Sequence, residues 1–412
     1  MTKLTESQIE EFAIEQFQSL GYDYVYGPDI APIMECGVEY GRDGGGGDVA
    51  VNGRDAAVNG RDAARHVSTG MRHSFDDVVL KDRLRDSAIK INRLIPRPAI
   101  DEAIKTVMRI ASPELLTNNE EFHRLLTEGV PVSINKNGVE RGERVWLVDF
   151  EHPEDNDFLV TNQFTIIEKG HNKRPDIILF VNGLPLVVFE LKNAADENAT
   201  VRSAYKQIET YKQMIPSLFT YNELLVISDG LEARAGSLSA GFNRYMAWKT
   251  EDGKIEASDT VGQLEVLIKG MLNKKTLLDL IRSFTVFEKD KTEDIKTGIT
   301  TIKTVKKVAA YHQYYAVNKA VESTIRATGF NGVTFNVDDS GRDAARHVST
   351  VGESPINYGL KDISGQPVGD HKAGVIWHTQ GSGKSLSMVF YTGKIVRQLM
   401  NPTIVVITDR ND

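Results

Sequence analysis

PDIILFVNGLPLVVFELK, residues 175–192, sets two apolar runs on either side of Asn182-Gly183, with Asp176 near one end and Glu190 and Lys192 at the other. Asn-Gly between apolar runs is a strong hairpin signal, so the stretch reads as two buried antiparallel strands. Glu190 and Lys192 are two apart on a strand and share a face. Asp176 joins them only in one register. A plain two-residue turn pairs Val181 with Leu184 and leaves Asp176 opposite Phe189, on the wrong face. A three-residue loop, Asn182-Gly183-Leu184, pairs Val181 with Pro185 and sets Asp176 against Glu190; a bulge does the same. Two carboxylates that close repel unless a cation lies between them, and a divalent metal with hard oxygen ligands fits. Lys192 would then orient or deprotonate a water, while Mg²⁺ neutralises charge developing on a scissile phosphate. The plainer reading is strand-end charges facing water, which most Asp, Glu and Lys residues do. The run LPLVVF just before Glu190 favours the site, since a buried strand tolerates charge poorly without a use for it.

The rest of the chain frames that hairpin. At 412 residues it exceeds one ordinary domain. No apolar run approaches the roughly 18 residues of a membrane helix, and MTKLTESQIEEF lacks a signal-peptide core, so the expectation is a cytoplasmic protein without a membrane partner. A single cysteine, Cys36, excludes an internal disulfide framework and a Cys-based zinc cluster. A net charge of −8 argues against a surface coated for nucleic acid, so any such site must be local.

Thr5 to Gln8 fits a capping box, followed by Ile9, Phe12, Ala13, Phe17 and Leu20 at helical spacing and a stop at Gly21. Residues 41–70 form an atypical low-complexity insert rich in Gly, Asp and Ala, and GRDAARHVST at 60–69 recurs at 341–350 with no other shared context. Neither copy, nor the surrounding 336–356, is given functional weight. Helical patterns follow from about 77 to 130, then strands RVWLVDF and FLVTNQFTIIEKG, the hairpin, a helix ending near Pro216 and the strand ELLVISDG. Gln207 and Tyr211, four apart on that helix, can lean over the hairpin charges together. The predicted layout is α/β twice: a mixed sheet flanked by helices over 1–250, a helical linker over 251–294, and the first part of a parallel-sheet domain over 295–412.

In AGVIWHTQGSGKSLSMVF a strand, Val375-Ile376-Trp377, runs into Thr379-Gln380-Gly381-Ser382-Gly383, and Lys384-Ser385 opens a helix. Such a turn presents backbone N–H groups and the positive helix end to phosphate. Lys384 would meet the β and γ phosphates of ATP and Ser385 would hold Mg²⁺. His378 stands where the first Gly of the usual pattern would be. A Gly-rich loop of no consequence is the alternative, and the flanking strand and helix with the next strand, TIVVITD, weigh against it.

Pro175-Asp176, Glu190 and Lys192 followed by Gln207 and Tyr211 resemble the PD-(D/E)xK nucleases, in the variety found in the R (restriction and motor) subunit of type I restriction-modification enzymes. WHTQGSGKS resembles that family's first helicase motif, TDRND the start of the next, and Tyr311-His312-Gln313 the helicase Q-motif. The resemblance implies a nuclease domain followed by a RecA-like P-loop motor. It implies Mg²⁺-dependent cleavage of double-stranded DNA, with Asp176 and Glu190 as metal ligands, Lys192 as catalytic lysine and Gln207 and Tyr211 as accessory residues. ATP would drive translocation, with Gln313 reading the adenine edge, and the methylation and specificity subunits would be partners. Glu10 or Glu11 of the first helix is a candidate further ligand, an exposed helical Glu being the competing reading. His171, Lys173 and Arg174 are candidate phosphate contacts or a solvated loop. No acidic strand motif or second motor lobe follows Asp412, so the expectation for this chain is nucleotide binding without productive hydrolysis. Two other classes stay open: a repair helicase-nuclease without methylation partners, and an inert nuclease-like DNA-binding or nucleotide-sensing protein.

Overall fold

A computed structural model describes residues 5–32, 72–136, 138–193, 200–258, 260–293, 300–330, 367–376, 379 and 381–407. The readings made on residues 41–70, 336–356, 377, 378, 380 and 408–412 lie outside the described residues.

Six strands form one sheet: β1 Asp23–Tyr26, β2 Phe158–Asn162, β3 Ile177–Val181, β4 Leu184–Leu191, β5 Leu224–Ser228 and β6 Ala233–Gly236. They lie side by side in chain order. The sheet is mixed: β1–β2 and β4–β5 are parallel, while β2–β3, β3–β4 and β5–β6 are antiparallel. Parallel neighbours need a crossover, and the chain supplies helices Lys81–Ile91, Arg97–Met108 and Leu115–Glu128 before β2 and helix Val201–Met214 before β5. Every residue of β3, β4 and β5 is buried, which explains their unbroken apolar runs.

The first helix, Glu6–Ser19, forms as its caps dictate: Thr5 and Gln8 exchange side-chain and backbone hydrogen bonds, and Gly21 takes φ +78° beyond its end. Phe17 anchors it on the sheet, with ring centroids 5.7 Å from Phe189 and 5.1 Å from Tyr22. Among the described residues no helix is long and apolar enough to cross a membrane.

Three expectations need correction. The linker over 251–294 is helical only in Gln263–Met271 and Lys274–Ser283; Thr285–Glu293 is a strand paired antiparallel with Thr300–Val308. Thr and Val recur in both strands, Lys307 pairs with Glu288 across them, and β-branched residues with complementary charges suit a ladder better than a helix. The strand expected at RVWLVDF lies earlier, as Val139–Val145 paired with Val130–Lys136. Residues 375–376 and 403–407 form no ladder, and Val375 and Ile407 are 95% and 89% exposed. A parallel strand is held by neighbours on both sides, and none pairs with these segments among the described residues.

Candidate active site

The hairpin turn has two residues, because Val181 pairs with Leu184. Asn182 and Gly183 take φ +51° and +79°, the twin left-handed geometry of a type I′ turn, so the three-residue loop is not what forms. The register slips instead between Leu179↔Val187 and Phe180↔Pro185, leaving Leu186 as the extra residue of a bulge. Beyond it Ile177 faces Phe189, and continuing the ladder by one residue sets Asp176 against Glu190. Pro185, which has no N–H to give, sits beside the bulge, and the Leu186 carbonyl accepts from the Glu223 N–H at 2.7 Å.

The turn is also held from outside. The Asn182 side chain donates to the Leu147 carbonyl at 2.9 Å and to Asn156 Oδ1 at 2.8 Å, and accepts from the Asp157 N–H at 2.7 Å. A Cβ on Gly183 would lie 2.4 Å from the Leu80 carbonyl oxygen, so glycine is required by contact as well as by φ.

At the open end of the hairpin, Asp176 Oδ2 accepts from the Leu191 N–H at 2.5 Å. Lys192 Nζ lies 2.5 Å from Glu190 Oε1, 2.8 Å from the Leu191 carbonyl and 3.5 Å from Glu6 Oε1. Glu190 is 2% exposed, and its Oε2 has no hydrogen-bond partner among the described residues. Burial, then repulsion from Glu190, pushes the Asp176 carboxyl up to about 8; burial pushes Glu190 up to about 7 against the pull of Lys192 and Tyr211. Burial works against the Lys192 ammonium, but Glu190 and Asp176 outweigh it and its pKa is raised. The Tyr211 hydroxyl, raised by burial and by Glu190, faces Glu190 and Gln207 and lies 3.4 Å from the Arg174 carbonyl. All five hairpin and helix candidates therefore converge on one spot.

This donor set fits a divalent cation. Two hard carboxylates that burial keeps from ionising comfortably, one with an orphaned oxygen, are what a small dication stabilises in its ionised form. Of the first-helix acids, Glu10 is buried elsewhere, accepting from Asn162 Nδ2 and Gln163 Nε2 at 3.1 Å, and Glu11 is exposed. Glu6 is the one beside Lys192, and the sequence reading missed it because an acid in a helix's first turn is already explained by the helix dipole. His171 and Lys173 lie on a short ribbon with Ile166–Glu168, and Arg174 Nη1 donates to Gln163 Oε1 at 3.2 Å. Asp149, His152 and Asp155 form an exposed acidic turn in which Asp149 Oδ1 already accepts from the Glu151 and His152 N–H groups.

The nucleotide candidates gather in a second place. Gly381 and Gly383 take φ +82° and +80°, and Gly383 precedes helix Lys384–Gln398. Lys384 Nζ folds back to the Thr379 carbonyl at 3.0 Å, and Ser382 Oγ donates to the same oxygen at 2.8 Å. Gln313 sits against this loop: Oε1 accepts from the Ala310 N–H at 3.0 Å, and Nε2 donates to the Gly383 carbonyl at 3.0 Å. Its amide is thus engaged at both ends with protein rather than turned to a base. A Cβ on Gly383 would lie 2.6 Å from Gln313 Nε2. Ser385 and the loop face a cavity of about 810 Å³ whose walls include Gln313, Tyr311, Trp248, Arg244 and Phe287. Gln380 lies outside the described residues.

Comparison with known proteins supplies the family context. Residues 54–244 match the family model "Type I restriction enzyme R protein N terminus", and residues 312–412 match "SWI2/SNF2 ATPase". The chain is 40% identical to the type I restriction enzyme HindI endonuclease subunit of Haemophilus influenzae over 99% of its own length and 32% of that protein. It is 28% identical to a Methanocaldococcus jannaschii protein assigned as the type I MjaIXP endonuclease subunit, over 99% of this chain and 33% of the other. It is 30% identical to the EcoprrI endonuclease subunit of Escherichia coli over 37% of this chain and 49% of that protein. The chain spans about a third of the length of the first two relatives.

Proposed function

We propose that this chain, which belongs to the R subunits of type I restriction enzymes and corresponds to their N-terminal portion, carries that enzyme's DNA-cleaving centre at the hairpin and the nucleotide loop of its motor. The observation that carries the reading is the meeting of Asp176, Glu190 and Lys192, with the buried Glu190 Oε2 left without a partner among the described residues. Asp176 and Glu190 would hold Mg²⁺, which, when bound, supplies charge neutralisation at the scissile phosphate. Lys192, 2.5 Å from Glu190, holds a proton near the ligands and orients the attacking water. Tyr211 and Gln207 steady Glu190 from the helix behind it. The sheet and Phe17 keep bulk water from the buried side of the centre.

At the second site Gly381 to Lys384 would receive the phosphates of ATP, Lys384 leaving the Thr379 carbonyl to meet them, and Ser385 would hold the accompanying Mg²⁺. Gln313 supports the loop through Gly383 and would turn its amide to adenine only by giving up that bond. The domains read as a PD-(D/E)xK nuclease over 1–250 and the start of a RecA-like motor from 295, acting on double-stranded DNA with methylation and specificity subunits. Lys192→Ala tests the reading. Mg²⁺-dependent nicking by the assembled complex falls about a thousandfold or more; unchanged nicking removes the catalytic assignment.

A further inference from the structure

We propose that helix Lys274–Ser283 is a relay that couples the nucleotide loop to the turn of the nuclease hairpin. The inference rests on reading residues 379–385 as a nucleotide site.

The first joint is a buried ion pair. Lys394, on the helix that opens at Lys384, has Nζ 2.8 and 2.7 Å from the two oxygens of Asp279 and 2.6 Å from Asn318 Oδ1. Lys394 is buried, and its ammonium lies 5.0 Å from the Phe284 ring centre. Apolar side chains would hold three helices together at least as well, because burying charge costs much of what the pair returns. What the ion pair adds is a single geometry. Both carboxylate oxygens engage one ammonium, so helix Lys384–Gln398 is fixed in rotation and slide against the relay helix. The loop residues that would grip phosphate open the same rigid rod.

The second joint ties the relay helix to the segment before β2. Lys274 Nζ lies 2.7 Å from Glu154 and 5.5 Å from the Phe158 ring centre. Arg282 pairs with Glu151 and stacks 5.2 Å from the Phe150 ring centre. Just before the relay helix, the Leu272 carbonyl accepts from the buried Tyr22 hydroxyl at 2.8 Å. Exposed ion pairs alone transmit little, but here each cation also lies over an aromatic ring, so the helix seats at both ends.

The third joint reaches the hairpin. Asn156 Oδ1 accepts from the Asp149 N–H and from Asn182 Nδ2, both at 2.8 Å, and Asn182 exchanges two 2.7 Å hydrogen bonds with the backbone of Asp157. Asn182 is the first residue of the turn that begins the bulged register aligning Asp176 with Glu190. Three directional polar joints, the last two linked through the segment 149–157, therefore connect the P-loop helix to the element that sets the carboxylate pair. Spatial continuity alone does not establish coupling, so the test must read the far end when only the near end is loaded.

The measurement is hydrogen exchange by mass spectrometry on the whole chain, with and without a non-hydrolysable ATP analogue and Mg²⁺. Exchange slows in residues 381–390, and it also changes by about fivefold or more in 149–157 and 181–186. In Lys274→Ala/Arg282→Ala, substituted at the rim of the interface, protection at 381–390 persists while the distant change is lost. Asp279→Asn does the same from the buried side. A distant change that survives both variants overturns the relay, as does a parent chain that responds at the loop and not at 149–157 or 181–186. No protection at 381–390 in the parent would sink the nucleotide reading itself, and the relay with it.

Discussion

Two places on this chain suit phosphate chemistry, and they are built in opposite ways. The hairpin site draws residues from β3, β4, helix Val201–Met214 and helix Glu6–Ser19, and its carboxylates are buried in the middle of a six-stranded sheet. The loop from Gly381 to Ser385 is contiguous in sequence, its shape set by two glycines at positive φ and the helix they precede, and Lys384 and Ser385 are exposed. One site is a product of register, the other of local backbone. A register site fails when a distant turn fails, whereas a local loop keeps its form even where the strands beside it find no ladder.

Substitutions sharpen that contrast. The largest effect is expected from Lys192→Ala, with nicking by the assembled complex reduced about a thousandfold or more and folding retained, since an apolar side chain at a half-buried position leaves little strain. Gly183→Ala is next: it sits far from the charges but places a Cβ 2.4 Å from the Leu80 carbonyl at a left-handed φ. It should cost about 3 kcal/mol in denaturant melts and reduce nicking as well, because the turn carries the register. Lys384→Ala should weaken nucleotide binding about a hundredfold in a titration while metal binding at the hairpin is untouched. Loss of both would erase the distinction between the two sites.

A further expected effect is a pH dependence. With Asp176 and Glu190 pushed up to about 8 and about 7, the folded chain keeps protons that the unfolded chain sheds above the ordinary carboxylate range. Metal-free stability therefore falls as pH rises from about 4 to about 8, and levels above that. Mg²⁺ should restore stability at the alkaline end, and Asp176→Asn should flatten the slope and stabilise the metal-free chain at pH 8. Melts at pH 5 and pH 8, with and without Mg²⁺, check the sign; stability rising with pH in metal-free chain would refute the buried-carboxylate account.

The hairpin and its three charges were readable from PDIILFVNGLPLVVFELK because Asn-Gly marks the turn and spacing gives the faces. The sequence also carried the condition that an odd loop, a bulge near the turn or a bend at Asp176 must intervene. It did not choose between them, because the bulge at Leu186 is stabilised by the Glu223 N–H from a strand start 37 residues away. Glu6 was invisible for a similar reason: its approach to Lys192 depends on where Phe17 seats the first helix. The loop glycines were legible and fell where expected, but the strands at 375–377 and 403–409 were read from apolar runs alone, and a run becomes a strand only with a partner.

The central claim is that Asp176 and Glu190 hold one metal ion between them. Mn²⁺ binding followed by electron paramagnetic resonance on the nucleotide-free chain tests it directly. The account expects a bound ion that is lost in Asp176→Asn and equally in Glu190→Gln, and retained in Lys384→Ala. Binding that survives both carboxylate substitutions, or that vanishes with Lys384, would contradict it.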